Sequence, residues 1–182
     1  MISKRGHSQL VVLICFLGTA QSVAATKRAG QGATGTTQAT GSSQPQGTSI
    51  VYTNRKYRFK FTLPASWKGY SIIETKWVGD IYKQGDMQPS ATQSGPLLSI
   101  RNPRWTDSEE YQDIPIMVFT HQQWKLVVEG KMNASGAAPV LPSQLGRNRR
   151  YVFALPPRYN DALPDGWEEV ARIIQAQPLH PY

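Results

Sequence analysis

The sequence predicts an α+β fold: an antiparallel or mixed β-sheet with helices packed on it. Three observations carry that prediction. Tyr57, Phe59, Phe61 and Leu63 alternate with Arg58, Lys60 and Thr62, and period two with bulky apolar residues marks a half-buried strand. Residues 113–119 form a nearly continuous apolar run, which fits a central strand covered on both faces. Two segments, opening at Thr120 and at Asp165, carry helix-start signals followed by apolar stripes at helical spacing.

Ahead of that domain the chain changes character twice. Lys4 and Arg5 precede an apolar run over residues 10–20, and Ser22, Val23, Ala24 and Ala25 follow it. A basic head, a run shorter than the roughly 20 residues of a membrane-spanning helix, and a small-residue exit describe a secretory signal peptide. Residues 1–25 are therefore expected to be removed, with cleavage after Ala24 or Ala25. The protein is expected to be exported, to a periplasmic or extracellular site, with no stable membrane span after cleavage. Cys15 is the only cysteine, and Ile14 stands where lipid attachment wants a small residue. The mature chain then has no disulfide and no thiol chemistry. Residues 26–49 are rich in Gly, Ser, Thr and Gln with no large apolar side chain, so they cannot bury enough surface to order themselves and read as a linker.

Residues 50–182 are enough for one domain with a real core. The formal net charge of the 182 residues is +8, and Lys4, Arg5, Lys27 and Arg28 precede the domain, leaving it +4. A mildly basic exported domain excludes nucleic acid as the expected ligand and leaves anionic or glycan polymers of the cell envelope open. Taken in order, residues 50–53 read as a short strand, residues 54–56 as a turn and residues 57–63 as the alternating strand, which Pro64 ends because it has no amide proton. Further strands are expected over 70–78, 96–101, 113–119 and 151–155. Thr120 and Gln123 make a capping box, Trp124, Val127 and Val128 one stripe, and Gly130 a stop. Asp165 is expected to cap the second helix, with Trp167, Val170, Ala171 and Ile174 as its stripe. Thr106 and Glu109 suggest a short helix through Gln112.

The pattern Tyr57-x-Phe59-x-Phe61-x-Leu63-Pro64-x-x-Trp67 resembles the start of PsbP-like domains. Residues 66–70, 113–119, 145–148 and 151–156 look like a family of bacterial secreted proteins within that superfamily, and the resemblance covers most of residues 50–177. It implies an α/β/α sandwich and a non-catalytic domain that docks on other macromolecules, and it transfers no catalytic residue.

The residues themselves offer little chemistry. The mature chain has two histidines, His121 and His180, and no His/Asp/Glu grouping with metal-ligand spacing. Ser99, His121 and Asp113 are the components of a hydrolase triad without the local context of one, and Glu109, Glu110 and Asp113 are carboxylates better suited to capping. Gly30, Gly32 and Gly35 lie in the linker, away from any strand-to-helix turn that would cradle phosphate. No cofactor is expected. The candidate surface is aromatic and basic: Trp77, Arg101, Arg104 and Trp105, with Arg158 and Tyr159, all expected at strand ends. Such residues supply large contact area with hydrogen bonds. Trp67, Trp124 and Trp167 are expected in the core, while Trp77 and Trp105 stay open between core and rim. The expected function is an exported, monomeric, non-enzymatic accessory domain that binds a macromolecular partner of the envelope. The alternatives are an envelope hydrolase or glycan-binding accessory, and a purely structural envelope protein.

Overall fold

A computed structural model describes residues 48–83, 85, 87–134 and 140–182. The expected signal peptide and nearly all of the expected linker lie outside the described residues. In chain order the strands are β1 (Ile50–Asn54), β2 (Phe59–Leu63), β3 (Ser71–Ile81), β4 (Ala91–Arg101), β5 (Ile114–Thr120), β6 (Met132–Asn133), β7 (Ser143–Arg147), β8 (Tyr151–Leu155) and β9 (Leu179–Pro181). The helices are α1 (His121–Val128) and α2 (Trp167–Gln175), with a 3-10 turn at Ala65–Trp67.

The apolar run of β5 explains the layering. Successive side chains of a strand point to opposite faces. Ile114, Ile116 and Val118 enter one buried cluster, and Met117 and Phe119 enter another. β5 therefore sits inside a six-stranded sheet of order β6-β3-β4-β5-β8-β7, while β1, β2 and β9 form a three-stranded sheet of order β1-β2-β9. Every strand pair in both sheets is antiparallel. The first core joins Phe59, Phe61 and Leu63 of the small sheet to Leu98, Ile100, Ile114, Ile116 and Phe153 of the large one, with Val170 and Ile173 of α2. The second core, on the other face of β5, packs Trp77, Met117, Phe119, Val152 and Ala154 against Val127 of α1.

α1 starts as its sequence dictates. Thr120 Oγ1 accepts from the Gln123 amide at 3.2 Å, and Gln123 Oε1 accepts from the Thr120 amide at 2.9 Å. This closes a capping box in which the threonine cap contributes on the order of 1 kcal/mol. Gly130, at φ +67°, follows the helix end.

Two local expectations are corrected. Asp165 does not cap α2. Gly166 is the N-cap residue, at φ +83°, with no side-chain cap bond. The Asp165 carbonyl instead accepts from the Gln112 amide at 2.8 Å, which draws that residue toward the loop after β4. Residues 106–112 form no helix either. Thr106 Oγ1 does accept from the Glu109 amide at 3.0 Å, but the chain beyond is tied to the segment ahead of α2. No described helix is long and apolar enough to cross a membrane.

Candidate functional site

β4 ends at Arg101, and the chain returns to β5 through residues 102–113. Asp113, the last residue of that loop, holds its two ends together. Its Oδ2 accepts from Arg101 Nε at 3.2 Å, and its Oδ1 accepts from the Asn102 amide at 2.9 Å. The Arg101 guanidinium lies 3.8 Å from the centre of the Trp105 ring. The same side chain thus has its charge pinned at one edge and its flat face on an indole, a contact of roughly 0.5–2 kcal/mol depending on how dry it is.

Arg104 reaches the other way. Its Nη2 donates to Glu169 Oε2 at 2.9 Å, and its guanidinium stands 5.2 Å from the Tyr111 ring centre. Glu169 Oε1 also accepts from Ser66 Oγ at 2.5 Å. Glu169 is in the first turn of α2, where a carboxylate is favoured by the exposed amides of the helix start. One acidic side chain therefore joins the loop after β4, the helix α2 and the turn after β2.

The loop is held by hydrogen bonds of two buried amide side chains. Buried Asn102 accepts at Oδ1 from the Arg104 amide at 3.0 Å. Buried Gln112 donates from Nε2 to the Asp113 carbonyl at 2.9 Å and to the Tyr159 carbonyl at 3.1 Å. Its Oε1 is buried without a partner, a cost of about 1–3 kcal/mol that the two bonds from Nε2 offset. Gly166 packs beneath. A Cβ there would lie 3.3 Å from Tyr111 Cδ1 and 3.5 Å from Asn102 Nδ2.

The structure brings Arg101, Arg104 and Trp105 together as a rim. Tyr159 joins through its carbonyl, while its ring packs on the first core, and burial raises its phenol above the ordinary tyrosine value. Arg158, at φ +55°, is exposed in the neighbouring loop and pairs with Asp161 at 3.6 Å, a surface pair of about 0–1 kcal/mol. Trp77 does not belong to the rim. It lies in the middle of β3 and is 4 % exposed, its Nε1 donates to the Val118 carbonyl at 3.0 Å, and its ring is 4.5 Å from that of Phe119. Trp67 is fully buried, Trp124 packs partly buried on Phe119, and Trp167 is only half-buried. Glu169, Tyr111, Asn102, Gln112 and Ser66 are rim residues that the sequence did not single out. Glu169 stands 65 positions from Arg104, so no local signal joins them.

The triad components are not assembled. Asp113 and His121 flank β5, whose seven residues extend about 24 Å at roughly 3.4 Å each. Asp113 is engaged with Arg101, and His121 Nε2 contacts the Asn148 carbonyl at 2.8 Å. Glu109 and Glu110 are exposed on the loop. Among the described residues no three His, Cys, Asp or Glu side chains converge as a metal site would require. An open depression of about 450 Å³ is lined by Thr48, Ser49, Ile50, Ala65, Lys68 and Gly69, with Lys68 its sole ionisable side chain. Chemically, the rim can present guanidinium and aromatic groups held in fixed positions by carboxylates. No family model matches the chain, and no curated protein or solved structure matches it either.

Proposed function

We propose that the domain is an exported, non-catalytic docking module, working in the cell envelope and engaging a macromolecular partner through the Arg101–Arg104–Trp105 rim. One observation carries this reading: the Arg101 guanidinium is fixed between the Asp113 carboxylate and the Trp105 ring before any partner arrives. Binding costs less when side chains are already ordered, and Arg, Trp and Tyr are the residues that dominate binding surfaces. The charged groups at the rim are committed to partners that hold shape, which suits recognition better than proton transfer. The finer fold assignment, a PsbP-like α/β/α sandwich, is part of the same proposal. It is supported by the layer order, with a central antiparallel sheet bearing α1 on one face and α2 beside the small sheet on the other.

The test is affinity capture from envelope extract with the wild-type chain and with an Arg104→Ala/Trp105→Ala variant, both checked for equal melting behaviour. Truncating two central contacts typically weakens binding by 30-fold or more. A partner retained equally by a folded double variant would remove the rim from the function.

A further inference from the structure

A second charged surface lies at the opposite end of β5, where two turns meet. The β1–β2 turn carries Arg55, Lys56 and Arg58, and Lys60 follows in β2. Arg147 ends β7, and the β7–β8 turn carries Arg149 and Arg150. All seven cations are exposed, and no acidic residue occurs in either segment. Lys56 meets Glu74 at 3.7 Å. The other six form no ion pair among the described residues, whereas each of the three arginines at the rim end has an acidic partner.

The turns are fastened to each other. Asn148 Nδ2 donates to the Tyr57 carbonyl at 2.9 Å and to the Arg58 carbonyl at 3.1 Å. Its Oδ1 accepts from the amides of Arg150 and Tyr151, both at 2.9 Å, which sets the tight turn that spreads Arg149 and Arg150 outward from the sheet. The rings of Tyr57 and Tyr151 meet edge to face at 5.4 Å beneath. Like charges are thus held side by side on a stiff frame, against their mutual repulsion.

Arg58 is the most telling position. Its φ is +61°, a left-handed conformation that costs a residue with a Cβ about 1–2 kcal/mol and that glycine adopts freely. The fold needs that conformation, because the Arg58 carbonyl accepts from both Asn148 and the Tyr182 amide. An arginine standing where glycine would be easier accords with a use for its charge.

We propose that these paired turns dock the domain on an anionic phospholipid surface, with the guanidinium groups meeting lipid phosphates. Guanidinium forks match phosphate oxygens in pairs. The cations come from two separate turns and the strands beside them, which fits an extended sheet of headgroups better than a single phosphate. Tyr182, half exposed with the Arg58 guanidinium 5.8 Å from its ring centre, supplies an aromatic of the type that settles at membrane interfaces. The residues at the other end bias the orientation: residues 101–113 and 156–169 hold eight carboxylates against three guanidinium groups, so that end is repelled from the same surface. The rim would then face away from the lipid. The proposal stands independently of what the rim binds.

The test is sedimentation of the full chain with vesicles of phosphatidylcholine alone or with about 30 % phosphatidylglycerol, at roughly 0.1 M salt. Each basic side chain near such a surface strengthens binding about fivefold, so Arg149→Ala/Arg150→Ala should bind the anionic vesicles roughly 25-fold more weakly. Arg58→Gly should weaken binding about fivefold while melting no lower than wild type. Lys76→Ala, an exposed charge on β3 outside the paired turns, should change nothing. Equal binding to both vesicle types, or unchanged binding by the folded double variant, would overturn the proposal. Retention on heparin or duplex DNA without vesicle binding would replace the membrane by a soluble polyanion. Release by 10 mM inorganic phosphate beyond an ionic-strength-matched chloride control would replace the surface by a single phosphate site.

Discussion

Gly95 and Trp77 offer the sharpest test of how the second core is built. They sit opposite each other in the β3–β4 ladder. A Cβ on Gly95 would lie 2.5 Å from Trp77 Cε2 and Cζ2 and 2.6 Å from Nε1. Ordinary carbon contacts are about 3.5–4.0 Å, so Gly95→Ala creates an overlap of about 1 Å. The indole has little room to retreat, because it is buried against Phe119 and bonded to the Val118 carbonyl. That bond has a specific cause. Pairing between β4 and β5 stops at Leu97 and Met117, and one residue further would set Pro96 opposite Val118. Proline has no N–H to offer, and the Trp77 indole supplies the donor in its place.

Overpacking costs about 1–3 kcal/mol, and displacing the indole from its buried acceptor about 1–3 kcal/mol more. Replacing a strand glycine returns about 0.5–1 kcal/mol. The expected loss for Gly95→Ala is thus about 1–5 kcal/mol, centred on about 3 kcal/mol, a fall in melting temperature of roughly 10 °C for a domain of this size. In a Trp77→Leu background no side-chain atom reaches the positions of indole Nε1, Cε2 and Cζ2, and the same substitution should cost under about 1 kcal/mol. Urea unfolding followed by far-ultraviolet circular dichroism measures all four corners of the cycle without relying on tryptophan emission. A neutral Gly95→Ala, or an equal cost in both backgrounds, would refute the account.

Two further outcomes are expected. Burial raises the phenols of Tyr159 and Tyr52, the latter partly relieved by its 2.7 Å bond with Asn54, so both lose their protons later in the folded chain than in the unfolded one. Their contribution is complete below about pH 10, where unfolded tyrosine titrates, and is lost as pH rises through the folded values. Urea midpoints should fall between pH 9 and 11 and fall less in Tyr52→Phe/Tyr159→Phe, and identical slopes would contradict this. Intact mass of the protein secreted from its native host should correspond to a chain beginning at Ala25 or Thr26, and a chain beginning at Met1 would overturn the export reading.

What the sequence revealed depends on how local the cause is. Thr120 and Gln123 specify the start of α1 between themselves, and the structure has the box. The alternation of β2 and the apolar run of β5 are likewise local patterns with one meaning. β4 was legible only from Pro96 onward, because residues 91–95 carry no large apolar side chain and become strand by pairing with β3. β7 reads Ser-Gln-Leu-Gly-Arg, an edge strand with a register shift between Gln144 and Gly146, and β9 is three residues long. Neither has a period to detect. Asp165 carried a valid capping signal, but a tertiary hydrogen bond to Gln112 claimed its carbonyl and moved the helix start to Gly166. At the rim, Arg101, Arg104 and Trp105 were visible as a cluster in sequence, while the carboxylate that orients Arg104 is on a distant helix. Trp77 was ambiguous for a different reason: indole serves cores and surfaces equally, and only Gly95 opposite it decides the matter.

The net charge of the domain conceals how its ions are arranged, and that arrangement separates the two proposed surfaces physically. At the rim, Arg101, Arg104 and Arg158 face Asp113, Glu169 and Asp161. Their charge is largely spent inside the protein, so recognition there would rest on shape, stacking and the remaining donors of each guanidinium, and would change little with ionic strength. At the paired turns six cations have no ion-pair partner among the described residues, so attraction there is long-ranged and screened over roughly 8–10 Å at physiological salt. The two properties serve different ends of the same domain. An unneutralised end sets distance and orientation against a charged surface at modest cost in specificity. A neutralised, rigid end can discriminate between partners because little of its affinity is available to an arbitrary anion. Asn148 at one end and Asp113 at the other do the same physical job, each fixing the backbone of a turn so that exposed side chains start from one geometry. The difference lies in whether the anchoring group also cancels charge: a carboxylate does, an amide does not.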